Sequence, residues 1–207
     1  MINKRYNEKY CNRHFIKYRD WENKVGEYLY KELKPNSVLD LGCGVGSYLE
    51  GFFNSGCKYL LGIELSYNQS KKYIVNKISS FIIEGDVTKD LDLGCKFDCV
   101  ISFEVGEHIK PDGTEIFINN LTSYSDKYII LTAAPPGQRG TGHINLRNKD
   151  FWIDAITSKG FLYEEKLVEK YKKSWKEFNV GNYILNNLMV FKKEEYGKTD
   201  NTCNKKI

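Results

Sequence analysis

The sequence predicts an α/β fold, a largely parallel sheet with helices on both faces, on three observations. The runs VLDL, YLLGI, CVISF and YIILT are almost unbroken in apolar residues, as strands covered on both sides must be. Between them stand segments with helical spacing, the alternation that parallel strands need for their crossovers. The chain has 207 residues, 41% hydrophobic and 14% aromatic, enough for one domain with its own core and unlike a disordered, collagen-like or membrane-bundle composition.

The elements follow in order. Trp21, Val25, Tyr28, Leu29 and Leu33 recur at helical spacing, and Pro35 stops the pattern because the residue before a proline avoids helical geometry. Residues 1–34 thus read as an N-terminal helical extension, residues 35–193 as the main domain and residues 194–207 as a flexible tail. Within the domain the pattern predicts strand Ser37–Leu41, a helix over 47–54, strand Tyr59–Glu64, a helix over 68–75 and strand Ser80–Glu84. Strand Asp98–Phe103, a helix over 114–123, strand Tyr128–Thr132, a Gly/Pro-rich loop at 134–148 and a helix over 149–158 come next. A charged helical segment around 165–178 and a strand Asn187–Phe191 complete it. Tyr6, Tyr10, Phe15, Tyr18 and Trp21 read either as a lid over a ligand site or as packing on the sheet edge.

Charge and cysteine usage narrow the class. Residues 1–34 carry nine basic and five acidic side chains, residues 35–158 eleven and fifteen, and residues 159–207 eleven and seven. Basic flanks around an acidic centre fit a phosphate-bearing partner or simply solvated lysines. The six cysteines form no C-x-x-C pair, so reduced, packed thiols are expected rather than a zinc ribbon or disulfide scaffold. The N-terminal charges are followed by no apolar segment, which predicts a cytoplasmic protein with no membrane partner.

The string VLDLGCGVG puts Gly42, Gly44 and Gly46 where the first strand turns into its helix, at the mouth of the sheet. Such a loop is either a tight turn or a place where backbone amides approach a ligand. Glu64 ends the second strand, twenty-two residues after Gly42, where a carboxylate can accept both hydroxyls of a ribose. Asp86 ends the third, where it can accept from an adenine amine while the Val87 amide caps the ring. A dinucleotide fingerprint wants a third glycine at 47, which is Ser.

Together VLDLGCGVG, GIELS, GDVT and FDCVISFEVGEHI resemble the class I S-adenosylmethionine-dependent methyltransferases over about residues 37–133. The resemblance implies a Rossmann-like seven-stranded sheet of order 3-2-1-4-5-7-6 and S-adenosyl-L-methionine as co-substrate. It also implies that Asp40, Gly42, Gly44 and Gly46 carry the methionine moiety, Glu64 the ribose, Asp86 and Val87 the adenine, with Phe103 beside them.

Glu104, Glu107 and His108 follow the fourth strand, and a helical turn there puts all three on one face. They read as rim residues ordering loops, as a site with His108 as general base, or as a metal site. His143, in the loop after the fifth strand, stands across the acceptor pocket, so His108 and His143 are the candidate catalytic residues and Glu104, Glu107, His108 and His143 the candidate metal ligands. Two carboxylates and two imidazoles suit Mn²⁺, Fe²⁺, Co²⁺ or Zn²⁺ better than Mg²⁺. E-x-x-E-H with a distant His resembles the metal set of small-RNA 2′-O-methyltransferases. Ala134-Pro135-Pro136 follows the wrong strand for the motif of base N-methylation. The expectation is therefore methyl transfer to an oxygen of a small molecule or RNA; a non-catalytic cofactor-binding module is the alternative.

Overall fold

The computed structural model describes residues 8–194, the backbone alone at 8–11 and 13–15. The flexible tail expected over 194–207 therefore lies, but for Glu194, outside the described residues, as do Tyr6 and the side chains of Tyr10 and Phe15. A helix α1 (Glu8–Leu33) leads into β1 (Ser37–Leu41), α2 (Ser47–Asn54) and β2 (Tyr59–Glu64). Then come α3 (Tyr67–Ser70), β3 (Ile82–Glu84), β4 (Phe97–Phe103), α4 (Thr114–Ser123) and β5 (Ser125–Thr132). Next are α5 (Lys149–Thr157), β6 (Phe161–Tyr163), α6 (Glu165–Lys176), α7 (Asn182–Asn187) and β7 (Met189–Lys193).

The seven strands form one sheet in the order β3-β2-β1-β4-β5-β7-β6. The first five run parallel, and β7 is antiparallel to both β5 and β6. This is the order that the resemblance implies. Because side chains alternate along a strand, neighbouring residues feed opposite layers. Val38, Leu60, Ile101 and Ile130 pack under α1, α2 and α6, while Leu39, Leu61, Val100 and Ile129 pack under α4 and α5. Among the described residues no helix is long and apolar enough to cross a membrane.

Several elements differ from the expectation for local reasons. Helix α1 runs back to Glu8. The helix expected over 68–75 stops at Ser70 and continues as 3-10 turns at Lys71–Tyr73 and Asn76–Phe81. Two β-branched residues, Ile74 and Val75, sit extended between those turns, at ψ 127° and 140°. The edge strand β3 shortens accordingly. The three-residue β6 was not foreseen, since so short a strand leaves no periodicity to read.

Helix α1 is held to α2 closely enough to matter for the site. A Cβ on Gly26 would lie 2.2 Å from the Tyr48 carbonyl oxygen, and one on Gly51 would lie 2.1 Å from that of Asn23. Only glycine permits that approach. Arg19 then donates from Nε to Glu50 Oε2 (2.9 Å) and from Nη2 to Oε1 (2.6 Å), and Lys77 reaches the same carboxylate at 2.9 Å. A forked pair on a buried acid fixes angle as well as distance.

Candidate active site

A cleft of about 1420 Å³ opens at the carboxyl ends of the central strands. It lies where β1 meets β2 on one side and β4 on the other, the point at which the crossovers change direction and leave a crevice.

One end is built from the β1–α2 loop. Gly42, Gly44 and Gly46 have φ of 83°, 58° and 76°, all left-handed. Gly42 and Gly44 line the cleft, and a Cβ on Gly44 would meet nothing within 4 Å, so the backbone faces open space there. Gly46 instead packs behind the loop, where a Cβ would come 2.5 Å from Ile82, and caps α2. Glu64 accepts from the Gly44 amide through Oε2 (2.8 Å) and from the Ser66 amide through Oε1 (2.7 Å). Burial raises its pKa and those two amides oppose the rise. Asp86 accepts from the Thr88 amide (2.9 Å) and hydroxyl (2.6 Å), and the Asn120 side-chain amide holds the Val87 carbonyl at 2.9 Å. Phe103 stacks on Tyr48 with ring centroids 4.2 Å apart. All of these except Ile82, Gly46 and Asn120 line the same cleft.

Asp40 is 1% exposed, and its Oδ2 has no hydrogen-bond partner. Burial, then the charges of Glu22 and Glu64, push its pKa well above the usual carboxylate range. Glu22, with Tyr18 and Trp21, brings α1 to the cleft wall. Sequence reasoning missed Glu22, although a signal exists: it shares the apolar stripe of Val25 and Leu29 at i, i+3 and i+7.

The other end lies past β4. Glu104 takes a left-handed φ of 55°, and its amide donates to the Thr132 carbonyl (3.1 Å) and hydroxyl (3.0 Å). A 3-10 turn at Gly106–His108 follows, so the helical face expected for Glu104, Glu107 and His108 does not form. The Glu104 carboxylate instead accepts from the side-chain amides of Asn187 (3.0 Å) and Gln138 (3.2 Å). Glu107 is fully buried, and neither carboxylate oxygen has a hydrogen-bond partner. Burial and then the nearby Glu104 charge push its pKa up.

His143 stands across from them as expected. Its Nε2 is 4.0 Å from Glu107 Oε1, and its ring centroid is 5.0 Å from that of His108. One donor atom each from Glu107, His108 and His143 lie within 4.8 Å of one another, while Glu104 stays outside this group. His143 Nδ1 sits 3.0 Å from the Gln138 carbonyl, which only accepts, so the ring proton belongs on Nδ1 and the Nε2 lone pair faces Glu107. The loop carrying His143 is clamped by the Ile144 and Asn145 amides on the Glu107 carbonyl (2.9 and 3.1 Å). Asn145 is buried in that clamp and donates to the Gly106 carbonyl (3.2 Å) and the Thr114 hydroxyl (2.8 Å).

The sequence matches the model of the methyltransferase-domain family over residues 12–131, more than half of the chain. The chain belongs to that family. Membership makes it a methyltransferase of the S-adenosylmethionine-dependent class. No curated protein matches its sequence. Among solved structures it is similar to the sugar N-methyltransferase KedS8 from Streptoalloteichus, at 16% identity and a TM-score of 0.67, covering 90% of this chain and 92% of that one. It is also similar to an O-methyltransferase of a Brevibacillus brevis polyketide synthase in complex with S-adenosyl-L-homocysteine, at 17% and 0.60, covering 90% and 77%. A third is CalS10, an amino pentose methyltransferase from Micromonospora echinaspora with bound S-adenosylmethionine, at 14% and 0.62, covering 89% and 95%. At such identities the likeness is one of fold.

Proposed function

We propose that this methyltransferase moves the sulfonium methyl of S-adenosylmethionine onto a hydroxyl oxygen held at the histidine end of the cleft. The observation that carries this reading is the group formed by Glu107, His108 and His143, which opens into the same cleft as the glycine loop and the acids of β1 and β2. In it, Gly42, Gly44 and Asp40 take the methionine moiety, with Gly46 setting the start of α2. Glu64 exchanges its amide contacts in part for the ribose hydroxyls, Asp86 and Val87 take the adenine, and Phe103 closes the floor.

The step is an in-line displacement: the C–O bond forms as the C–S bond breaks, and the electron pair of the latter stays on sulfur. Alignment supplies most of the acceleration. The hydroxyl proton passes to an imidazole, and the Nε2 of His143, held by the Gln138 carbonyl, is oriented to receive it. The reading takes a small hydroxylated acceptor over RNA, since the aromatic Tyr18 and Trp21 of α1 and Tyr183 of α7 line the cleft. The solved relatives named for sugar and amino-pentose methylation have acceptors of that size.

A metal-assisted form of the same reaction is favoured by one feature, the pair of Glu107 oxygens buried without a partner beside two imidazoles. Glu107, His108 and His143 would hold a divalent ion, with Glu104 positioned beside them through Asn187 and Gln138. Such an ion supplies a lowered pKa to a bound hydroxyl. At bond lengths of about 2.1 Å two donors on one ion stand at most about 4.2 Å apart, so these donors, which lie within 4.8 Å of one another, would draw together on binding it.

The test uses cofactor with a deuterated methyl and acceptors offered as matched hydroxyl and amine forms, together with a short RNA bearing a free 3′ terminal ribose. Label on the hydroxyl form alone supports the reading. Label on the amine form or on the RNA alone overturns the choice of acceptor.

A further inference from the structure

We infer that Glu22, which is carried by α1 and not by the sheet, is a cofactor-binding residue: with Asp40 it forms an anionic socket for the α-ammonium of the cofactor's methionine. The inference rests on the proposed placement of the cofactor along the glycine loop.

Burial, position and an unpartnered oxygen support it. Glu22 is 3% exposed and Asp40 1%, and both line the cleft beside Gly42 and Gly44. Two acids do not come together in a core without a reason, because each charge makes the other harder to bury. Asp40 Oδ2 is wholly buried and has no hydrogen-bond partner, whereas buried polar atoms almost always have one. A ligand donor meets that requirement.

The second part of the argument is how Glu22 is held. The Gly26–Gly51 approach and the forked Arg19–Glu50 pair fix α1 against α2 on either side of it along the helix. That arrangement sets the carboxylate at the wall of a ligand cleft, where a merely structural acid would be better replaced by an apolar residue. Glu64 and Cys43 are electrostatic neighbours of Asp40, and Tyr48 of both acids. Two carboxyl groups in one cleft wall suit a cation with N–H donors. Burial lifts Glu22 to a pKa of about 8, with the Ser47 hydroxyl opposing the rise. Before binding, therefore, the pair holds a proton near neutral pH, and an arriving ammonium expels it.

Calorimetry on the full chain tests this with two probes, S-adenosylhomocysteine and 5′-methylthioadenosine, which shares the nucleoside but lacks the amino acid. Glu22→Gln should weaken S-adenosylhomocysteine about tenfold or more, as expected for losing a charge-assisted hydrogen bond, and leave methylthioadenosine within about twofold. Glu22→Asp should recover part of the loss. Binding of S-adenosylhomocysteine to the wild type at pH 7, measured in buffers of different ionisation enthalpy, should release protons, and Glu22→Gln should release fewer. Equal weakening of both probes would make Glu22 a structural residue and overturn the inference, as would no weakening of either. If Glu22→Gln fails to fold, the wild type still decides: no proton release on binding would overturn the inference. If neither probe binds the wild type, the cofactor reading of the cleft fails, which is a different outcome.

Discussion

At the β1–α2 end of the cleft, the two oxygens of Glu64 are each held by a separate backbone amide, and Asp86 by the amide and hydroxyl of Thr88. At the β4–β5 end, Glu104 is held by two side-chain amides from distant parts of the chain, and neither carboxylate oxygen of Glu107 has a hydrogen-bond partner. The first end is fixed by the loop geometry that the glycines create. The second is an arrangement of side chains on one another, brought together by a clamped loop. The contrast teaches that the β1–α2 end is preorganised by local sequence, whereas the β4–β5 end depends on long-range packing.

The sharpest way to break this comparison is Gly44→Val. The φ of 58° disfavours a β-branched residue and the side chain would project into the cleft. S-adenosylhomocysteine binding should fall below detection in calorimetry, while strain costs the fold only about 1–3 kcal/mol. Retained affinity would place the ligand elsewhere. Next in size is His143→Ala, which should lower Mn²⁺ affinity by about 10–100-fold or more, with S-adenosylhomocysteine affinity unchanged. Activity should fall on EDTA treatment and return with Mn²⁺ or Co²⁺ better than with Mg²⁺; indifference to EDTA favours the metal-free route through imidazole. Glu64→Ala should weaken S-adenosylhomocysteine by about 1–3 kcal/mol, because two hydroxyls lose their charged acceptor.

The smallest effect is on stability. Glu22 has a folded pKa of about 8 against an ordinary 4.5, so between those values the folded chain binds more protons than the unfolded one. Its contribution is fully present below pH 4.5 and is lost as pH rises through about 8. The melting temperature of the ligand-free protein should therefore decline over that window, and Glu22→Gln should flatten the decline by a few degrees. A decline of the same slope in the variant would assign it to other groups.

The same contrast explains what was legible in the sequence. The strands around Leu39, Leu61, Val100 and Ile129 announce themselves because burial on both faces leaves no polar position. Gly42, Gly44, Glu64 and Asp86 are legible because each sits at a strand end within one βα unit, so spacing along the chain stands in for distance. Glu104, Asn187 and Gln138 meet across 34 and 83 residues, and no local pattern encodes that. His143 could be placed opposite His108 only because loops after adjacent parallel strands share an edge. The left-handed turn at Glu104 broke the helical-face expectation. Glu22 went unread because an acid on an otherwise apolar helix stripe looks like a boundary residue until the helix is seen against the cleft.

The measurement that tests the two-ended cleft most directly is calorimetric titration of S-adenosylhomocysteine into two variants, Glu64→Ala and the double variant His108→Ala/His143→Ala. The account predicts that the first loses about 5–150-fold in affinity, the equivalent of 1–3 kcal/mol, and that the double variant binds as the wild type does. The converse result, in which the histidine variant loses the ligand and Glu64→Ala keeps it, would contradict the assignment of the cofactor to the glycine loop.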